Sequence, residues 1–577
     1  MDRQRPITKI QLLVGIIADS ATASPSSPIC LSRGSPRRSP APTPAPPSVH
    51  LWVVVLVIAG SCLCGVEARR NVITHIKGFE GPLPFYLETG YVEVDEEHGG
   101  RLFYYFIESE RSPAEDPLIL WITGGPGCSA LSGLLFEIVG QYENLKLVEG
   151  DRQKCTPSSS IKQVVFDKSI RVHLRLATED SEATKVKEAT GPLKFDVAGY
   201  TEGFPRLVYF QDSWTKVSNV IFLDAPMGTG FSYAREEAGY NISLTASGRQ
   251  HHTFLRRWLA EHPEFASNPL YLGGDSYSGY TVPVAAMDIA NHNDGNDEAL
   301  RLNLKGYLVG NAGTDNRYEK GGRVPFMHGM GLISDELFAA ARAGCGEDFY
   351  RPPDPANSRC ANVLDAIDSV TSDINPVHIL EPFCGLALRD PGVVGVFRGG
   401  GGGGRRAMLV RDYVEHPEFL ARRKLSLPVE CRDNGYRLSY IWADDDEVRA
   451  ALGVHDGSIG SWSRCTKLTH FWQDIDSVIP YHANLTKAGY RALVYSGDHD
   501  LDMTFVGTQA WIRTLNYPIV SDWRPWHSNR QIAGFTRTYA YNLTFATVKG
   551  AGHTAPEYRP KECLDMIDRW TSPAGQL

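Results

Sequence analysis

Short apolar runs recur along the chain and end in glycine, aspartate or serine, a pattern typical of buried strands. Six of them are LILWIT (118–123), VIFLDAP (220–226), LYLGG (270–274), LKGYLVGN (304–311), RALVYSGD (491–498) and LTFATVKG (543–550). Segments with helical spacing of apolar residues lie between them, at about 245–260 and 281–291. Because buried strands that alternate with helices form a mostly parallel sheet covered on both faces, this pattern predicts an α/β fold.

Two stretches interrupt the pattern. Most of 311–490 lacks strand-like runs, which predicts a helical cap or lid inserted at about 315–470, with a flexible loop at 395–410 around six consecutive glycines. Residues 139–190 are polar and weakly periodic, and they are predicted to be a second insert. The sequence leaves open whether this insert and residues 1–50 occur in the mature protein.

The N-terminal region predicts export. Residues 51–64 are nearly all apolar but too few for a comfortable membrane span, and Val66 and Ala68 supply the small residues of a cleavage site. We therefore expect a signal peptide cleaved after Ala68, with an uncleaved anchor as the alternative. Residues 1–68 are excluded from the fold, and 69–577 are predicted to be one domain of a secreted or vacuolar protein without a stable membrane span.

Composition narrows the function. The net charge of −9 and the lack of a basic stripe argue against nucleic acid as a partner. None of the eight cysteines after Ala68 forms a Cys-x-x-Cys pair, so disulfides are favoured in an exported chain, and neither a metal nor a cofactor is expected. Three sequons predict glycosylation, at Asn241, Asn484 and Asn542. The oligomeric state stays open.

The segment YLGGDSYSGY (271–280) raises the possibility of a nucleophilic serine. Ser276 follows an apolar run and precedes a helical segment, and small residues surround it, as a sharp strand-to-helix turn with an exposed hydroxyl requires. The common turn of this kind has glycine two residues after the serine, where this chain has Ser278. Taken alone, the stretch is equally compatible with a turn that has no chemistry.

Two later predicted strands end in partners for such a serine. RALVYS is followed by GDHD (497–500), and LTFATVKG is followed by AGH (551–553). The order serine, aspartate, histidine is that of the α/β-hydrolase fold, and all three groups follow strand ends, where α/β sheets carry their sites. We predict Ser276 as nucleophile, His553 as base and Asp500 as the carboxylate that orients it; Asp498 is expected to hold the turn.

The oxyanion formed by attack of a serine needs hydrogen-bond donors. The first strand-like run ends in TGGPGC (123–128), and a glycine-rich turn after an early strand supplies one such N–H in this fold. Gly125 and Tyr277 are the predicted donors, with a purely structural turn as the alternative.

Together these residues resemble the serine carboxypeptidase family over about 72–572. The matching segments are GFEGPLPFYLETGYVEV (78–94), WITGGPGCSALSGLLFEI (121–138), VIFLDAPMGTGFSY (220–233), GGDSYSGYTVPV (273–284), GYLVGNAGTD (306–315), YSGDHDLDMTF (495–505) and GAGHTAPEYRPKECLDMIDRW (550–570). The resemblance implies the α/β-hydrolase fold with a cap, and the catalytic roles given above. It also implies that Thr123, Gly124, Glu137 and Asp275 bind substrate, the last two as a pair of carboxyls that share a proton.

The resemblance further implies three disulfides, Cys128–Cys465, Cys345–Cys360 and Cys384–Cys431, and leaves Cys155 and Cys563 over. Peptidases of the family usually have Trp-Leu-Asn-Gly-Gly and Gly-Glu-Ser-Tyr-Ala-Gly, whose Asn and Glu bind the C-terminal carboxylate of a peptide. Here Thr123 and Asp275 stand in their places.

This variant is similar to the plant acyltransferase branch of the family, which moves an acyl group from a 1-O-β-glucose ester to an alcohol or amine. We therefore expect an acyltransferase with a small-molecule donor and acceptor. A carboxypeptidase that acts on peptide C-termini at acid pH is the alternative, and an inactive secreted binding protein is a minor one.

Overall fold

The computed structural model describes residues 70–137, 193–295, 301–351, 354, 356–384 and 432–577. These residues belong to one compact unit that begins at Ala68. The predicted signal region, the insert at 139–190 and the glycine-rich loop at 395–410 lie outside the described residues, and so do Cys155 and Cys431.

One large sheet of eleven strands organises the described chain. In chain order its strands are β1 (Asn71–Val72), β2 (Leu87–Asp95), β3 (Gly100–Ile107), β4 (Leu118–Ile122), β7 (Asn219–Leu223), β9 (Leu270–Asp275), β10 (Leu304–Gly310), β12 (Arg491–Gly497), β13 (Ile519–Ser528), β14 (Gln531–Tyr539) and β15 (Leu543–Val548). Four short strands form two small ladders, and they are β5 (Leu193–Phe195), β6 (Leu207–Tyr209), β8 (Ile242–Ser243) and β11 (Phe471–Trp472).

The strand order across the large sheet is β1-β2-β3-β7-β4-β9-β10-β12-β15-β14-β13. All five pairings from β7 to β15 are parallel, and the pairings at both edges are antiparallel. The six predicted strands are the six strands of this parallel centre, so the predicted α/β fold with a mostly parallel central sheet is confirmed. The antiparallel edges were not predicted.

Side chains of the central strands alternate between two cores, one on each face of the sheet. In β12, Leu493 and Tyr495 belong to the core on one face, while Ala492 and Val494 belong to the core on the other. All four side chains are fully buried. A strand that is covered on both faces has no polar side, which explains why these strands are continuous apolar runs in the sequence.

Helices cover both faces. In chain order the α-helices are α1 (Ala130–Ser132), α2 (Leu244–Glu261), α3 (Ser278–Asn293), α4 (Asn316–Gly329), α5 (Asp335–Cys345), α6 (Ser358–Thr371), α7 (Asp433–Ala443), α8 (Asp446–Leu452), α9 (Ile479–Lys487), α10 (Phe505–Thr514), α11 (Ala555–Tyr558) and α12 (Pro560–Thr571). The two predicted helices correspond to α2 and α3.

Helix α2 begins at Leu244 because the Ser243 side chain accepts a hydrogen bond from the Ala246 N–H and caps the first turn.

The predicted cap contains helices of two kinds. Helices α4, α5 and α6 enclose a small core of their own, with Phe326, Ala341 and Ile367 among its buried residues. Helices α7 and α8 instead contribute Trp442 and Val448 to a core of the main sheet. The limits proposed for the cap therefore stay a prediction.

No helix in the described part of the chain is long and apolar enough to cross a lipid bilayer. The asparagines of all three sequons, Asn241, Asn484 and Asn542, are exposed. Their glycosylation stays a prediction.

Candidate active site

Ser276 lies in a sharp turn between β9 and α3. Its φ angle is +54°, a left-handed conformation that is costly for a residue with a side chain. Backbone hydrogen bonds hold the turn: the Ser276 N–H donates to the Gly310 carbonyl (3.0 Å), and the Ser276 carbonyl accepts from Gly279 (3.0 Å) and Gly313 (2.8 Å). This is the turn that the sequence predicted for a nucleophile.

The structure brings the three predicted catalytic side chains together. The Oγ of Ser276 lies 2.8 Å from Nε2 of His553, and Nδ1 of His553 lies 2.8 Å from Oδ2 of Asp500. Asp500 and His553 follow β12 and β15, which are adjacent parallel strands, so their loops meet at one edge of the sheet. Burial lowers the pKa of His553, but the Asp500 carboxylate more than offsets this effect, so the pKa lies above its usual value.

Asn311 is a site residue that the sequence analysis missed. It follows β10, and its side-chain amide donates to Asp500 Oδ2 (2.8 Å) while its side-chain carbonyl accepts from the Gly497 N–H (2.9 Å). Asp500 Oδ1 also accepts from the Asp502 N–H (2.8 Å). Asn311 thus fixes the carboxylate that faces His553. Its position at the end of a predicted strand was the available signal.

Asp498, which was expected to hold the turn after β12, makes other contacts than Asp500 does. Its Oδ1 accepts from the Gly550 N–H (2.7 Å) and lies 2.5 Å from Nδ1 of His499. Asp498 therefore ties the loop after β12 to the loop after β15 and does not contact His553.

The glycine turn after β4 lies directly against Ser276. A Cβ at Gly124 would lie 2.6 Å from the Ser276 Cβ and 3.0 Å from the Tyr277 N, so only glycine fits there. Gly125 has a φ of +120°, which also requires glycine. The predicted oxyanion donors, Gly125 and Tyr277, therefore belong to two segments in close contact, and their role stays a prediction.

Disulfides support the site and the predicted cap. Cys128–Cys465 joins the glycine turn to the chain before β11, and Cys345–Cys360 links α5 to α6, as the resemblance implied. Cys384 is disulfide-bonded, but its predicted partner lies outside the described residues. Cys563 is free and buried.

Glu137 and Asp275 occupy the wall beside the glycine turn, and both are buried. The Thr123 hydroxyl donates to Glu137 Oε2 (2.8 Å), and the Gly124 N–H donates to Asp275 Oδ1 (3.3 Å). Asp275 Oδ2 is buried without a hydrogen-bond partner among the described residues. The four predicted substrate-binding residues therefore form one cluster next to Ser276.

Burial governs the acidity of this pair. It raises the pKa of Glu137 well above its usual value, and the nearby charge of Asp275 adds to the effect. Burial likewise raises the pKa of Asp275 to about 6, against the opposing effects of His553 and the Gly124 N–H. A proton on Glu137 removes the repulsion between the two charges.

Comparison with known proteins shows the family of this chain. A sequence profile described as serine carboxypeptidase matches residues 78–146 and 181–573. The chain belongs to the serine carboxypeptidase family. The unmatched residues 147–180 fall inside the insert predicted at 139–190, whose limits stay a prediction.

Plant members of the family are similar over most of their length. Serine carboxypeptidase-like 19 of Arabidopsis thaliana is 43% identical over 506 residues, which are 86% of this chain and 93% of that protein. Serine carboxypeptidase-like 2 of the same plant is 40% identical over 502 residues, or 87% of this chain and 92% of that protein. The relationship therefore extends over nearly the whole of these proteins.

A solved carboxypeptidase structure has a similar fold. The crystal structure of Kex1(delta)P, a prohormone-processing carboxypeptidase from Saccharomyces cerevisiae, has a TM-score of 0.58 at 17% identity. The match covers 86% of this chain and 95% of that one. The predicted α/β-hydrolase fold is thus confirmed.

Arg464 is a second residue of the candidate active site that the sequence analysis missed. Its guanidinium lies 4.0 Å above the Tyr436 ring, and its positive charge opposes the rise in the pKa of both Glu137 and Asp275. Its Nε is buried and has no hydrogen-bond partner within the described residues. The signal was its place beside Cys465, since the predicted disulfide brings that segment to the glycine turn.

A small recess, partly open to solvent, adjoins the glycine turn. Thr123, Gly124 and Tyr277 line it together with Pro226 and Phe471. The aromatic rings of Tyr277 and Phe471 meet edge to face at 6.0 Å. The wall thus combines apolar and polar groups, and it includes the predicted oxyanion donor Tyr277.

Proposed function

We propose that this member of the family is an acyltransferase. It moves an acyl group from a 1-O-β-glucose ester to an alcohol or amine through an ester with Ser276, and it acts in the secretory pathway, outside the cell or in the vacuole. The curated relatives are named for the family and not for a reaction, so the proposal depends on the site itself.

The observation that carries the proposal is the hydrogen bond from Thr123 to Glu137. A hydroxyl has one proton, and at Thr123 that proton is directed to Glu137. An asparagine at this position would have an amide with two protons, enough to hold Glu137 and a peptide carboxylate together. The site therefore has one donor fewer for the C-terminus of a peptide.

The first half-reaction uses the three aligned side chains. Ser276 Oγ attacks the ester carbonyl while His553 Nε2 takes the hydroxyl proton, and the N–H groups of Gly125 and Tyr277 stabilise the oxyanion. The bond from the carbonyl carbon to the glucose oxygen then breaks, and His553 gives its proton to that oxygen. Asp500 stabilises the imidazolium between the two transfers.

The second half-reaction repeats these steps with the acceptor. His553 removes the proton from the acceptor hydroxyl or amine, which attacks the acyl carbon. The bond to Ser276 Oγ breaks, and His553 returns the proton to the serine. Transfer exceeds hydrolysis when the site holds the acceptor at high effective concentration and excludes water.

A carboxypeptidase is the second candidate, because the buried Glu137 and Asp275 pair favours it. A carboxyl pair that keeps a proton at weakly acid pH can donate it to the carboxylate of a peptide. In this alternative the acyl-enzyme is the same, and water is the acceptor. An inactive binding protein is disfavoured by the 2.8 Å contacts that join Ser276, His553 and Asp500.

The two activities separate in one experiment. The purified chain is incubated at pH 5 and pH 7 either with a hydroxycinnamoyl glucose ester plus a panel of alcohols and amines, or with an N-blocked dipeptide. We expect acylated acceptor and free glucose in equal amounts, and little release of amino acid. Cleavage of the dipeptide without any acyl transfer would contradict the proposal and favour the peptidase.

A further inference from the structure

Two histidines and an aspartate meet where α2 packs against α3. Asp288 and His292 are four residues apart on α3, so they share one face of that helix. His252 on α2 approaches the same face: its Nδ1 lies 2.7 Å from Asp288 Oδ2, and its ring lies 4.5 Å from the His292 ring. One ligand atom from each of the three residues lies within 4.8 Å of the other two.

We infer that His252, Asp288 and His292 form a binding site for a divalent transition metal, with Zn²⁺ as the ion that fits best. Two imidazole nitrogens and one carboxylate oxygen are ligands that zinc accepts, at about 2.0–2.2 Å each, with water in the fourth position. The set contains no cysteine, so the absence of Cys-x-x-Cys pairs, on which the sequence analysis relied, does not bear on it.

His252 is the most deeply buried of the three proposed ligands. Its side chain is 5% exposed, and its Nε2 has no hydrogen-bond partner among the described residues. A neutral imidazole keeps the lone pair that binds a metal.

The site is open to an incoming ion. The His292 side chain is 58% exposed, on the last turn of α3, and the Asp288 side chain is 22% exposed. His292 Nδ1 lies 3.7 Å from Asp288 Oδ2 and 2.7 Å from the Asp288 backbone carbonyl oxygen, so binding of an ion through Nδ1 replaces this hydrogen bond. Arg256, whose positive charge opposes a charge on His252, weakens attraction of a cation, so we expect affinity below that of closed four-ligand zinc sites.

Bound metal would join two consecutive helices, with His252 and Asp288 36 residues apart in the chain. Helix α3 begins directly after Ser276, and its buried residues Ala285 and Ile289 share a core with Phe254 of α2. The unfolded chain does not hold the three ligands together, so a metal bound by the folded chain raises its stability. The site is thus structural and separate from the acyl-transfer chemistry.

The test is titration of the purified full chain, first stripped with EDTA, with ZnCl₂ at pH 7. We expect saturable binding of one ion per chain at this site and a higher unfolding temperature. Replacement of the exposed His292 in His292→Ala should weaken zinc affinity at this site at least tenfold. The variant His252→Ala should weaken it by a similar factor. Co²⁺ should give visible absorption in the natural chain and lose it in His292→Ala.

The matched control is His98→Ala. His98 pairs with Asp95 (2.9 Å) much as His252 pairs with Asp288, but no third ligand forms a cluster there among the described residues. This variant should bind zinc as the natural chain does. The inference fails if no saturable binding occurs, or if His292→Ala and the natural chain give the same isotherm and the same change in unfolding temperature.

Discussion

His553 Nε2 lies 2.8 Å from Ser276 Oγ, although the two residues are 277 positions apart in the chain. The turn after β9 and the loop after β15 meet at one edge of the sheet, where Asp500 adds the third member. Ser276→Ala should therefore lower turnover of any ester about 10⁴-fold or more, because alanine has no hydroxyl to attack the ester and no acyl-enzyme forms. Steady-state kinetics and labelling with a fluorophosphonate measure the loss.

Ser278→Ala is the matched control, because Ser278 is a buried serine two residues away. It should keep the fluorophosphonate label. Labelling of Ser276→Ala at the natural rate would show that another residue is the nucleophile.

Asn311 contacts Asp500 Oδ2 and holds the end of β12 through Gly497. We expect Asn311→Gly to lower kcat about tenfold, equal to about 1.4 kcal/mol, with little change in KM, since the carboxylate loses one of its hydrogen bonds. Glycine is chosen because Asn311 has a φ of +41°, which glycine adopts without strain.

Asn516→Gly serves as the control for this substitution. Asn516 also has a positive φ, of +52°, and it follows α10. The kcat of Asn516→Gly should equal that of the natural chain. Equal losses in both variants would mean that the Asn311 effect comes from general destabilisation and not from Asp500.

The centre of the sheet was predictable because its strands are buried on both faces. Such strands are apolar throughout, and all six appear as runs in the sequence. The edge strands are different. The strand β13 is mostly exposed, with buried positions only near its end, and it contains Asp522, Arg524 and Pro525, so its pairing with β14 depends on tertiary context.

The catalytic candidates were predictable because each follows a strand and carries reactive chemistry. Asn311 follows a strand too, but an amide has no reactive role that the sequence would reveal. Arg464 comes from a loop, and the disulfide at Cys465 was the one feature of the sequence that pointed to its place near the glycine turn. Contacts made by loops and by inter-helix pairs such as His252 with Asp288 require the folded chain.

The substitution Thr123→Asn should increase carboxypeptidase activity. The added amide has a proton for Glu137 and another for a peptide carboxylate, and a hydrogen bond to a charged group contributes about 1.5–3 kcal/mol. We expect the ratio of dipeptide cleavage to acyl transfer at pH 5 to rise about tenfold or more. Thr123→Val has no side-chain donor and should not show the rise. An unchanged ratio in Thr123→Asn would contradict the role that we propose for Thr123 in disfavouring peptides.

Asp275 predicts a pH dependence of stability with a definite sign. Its pKa is about 6 in the folded chain, above the usual value of 3.8, so between these values the folded chain binds more protons than the unfolded chain. The free energy of unfolding therefore falls as pH rises through this window. Asp275→Asn lacks the titration, so its stability relative to the natural chain should increase from pH 4 to pH 7.

The increase should reach up to about 3 kcal/mol, at about 1.4 kcal/mol per pKa unit, and urea denaturation at several pH values measures it. Loss of the Asp275 charge also relieves its repulsion with the buried Glu137, which acts in the same direction. The exposed Asp456 is the control, and Asp456→Asn should parallel the natural chain. If Asp275→Asn also follows a parallel curve, burial of Asp275 does not shift its titration, and the carboxyl pair does not hold a proton at weakly acid pH.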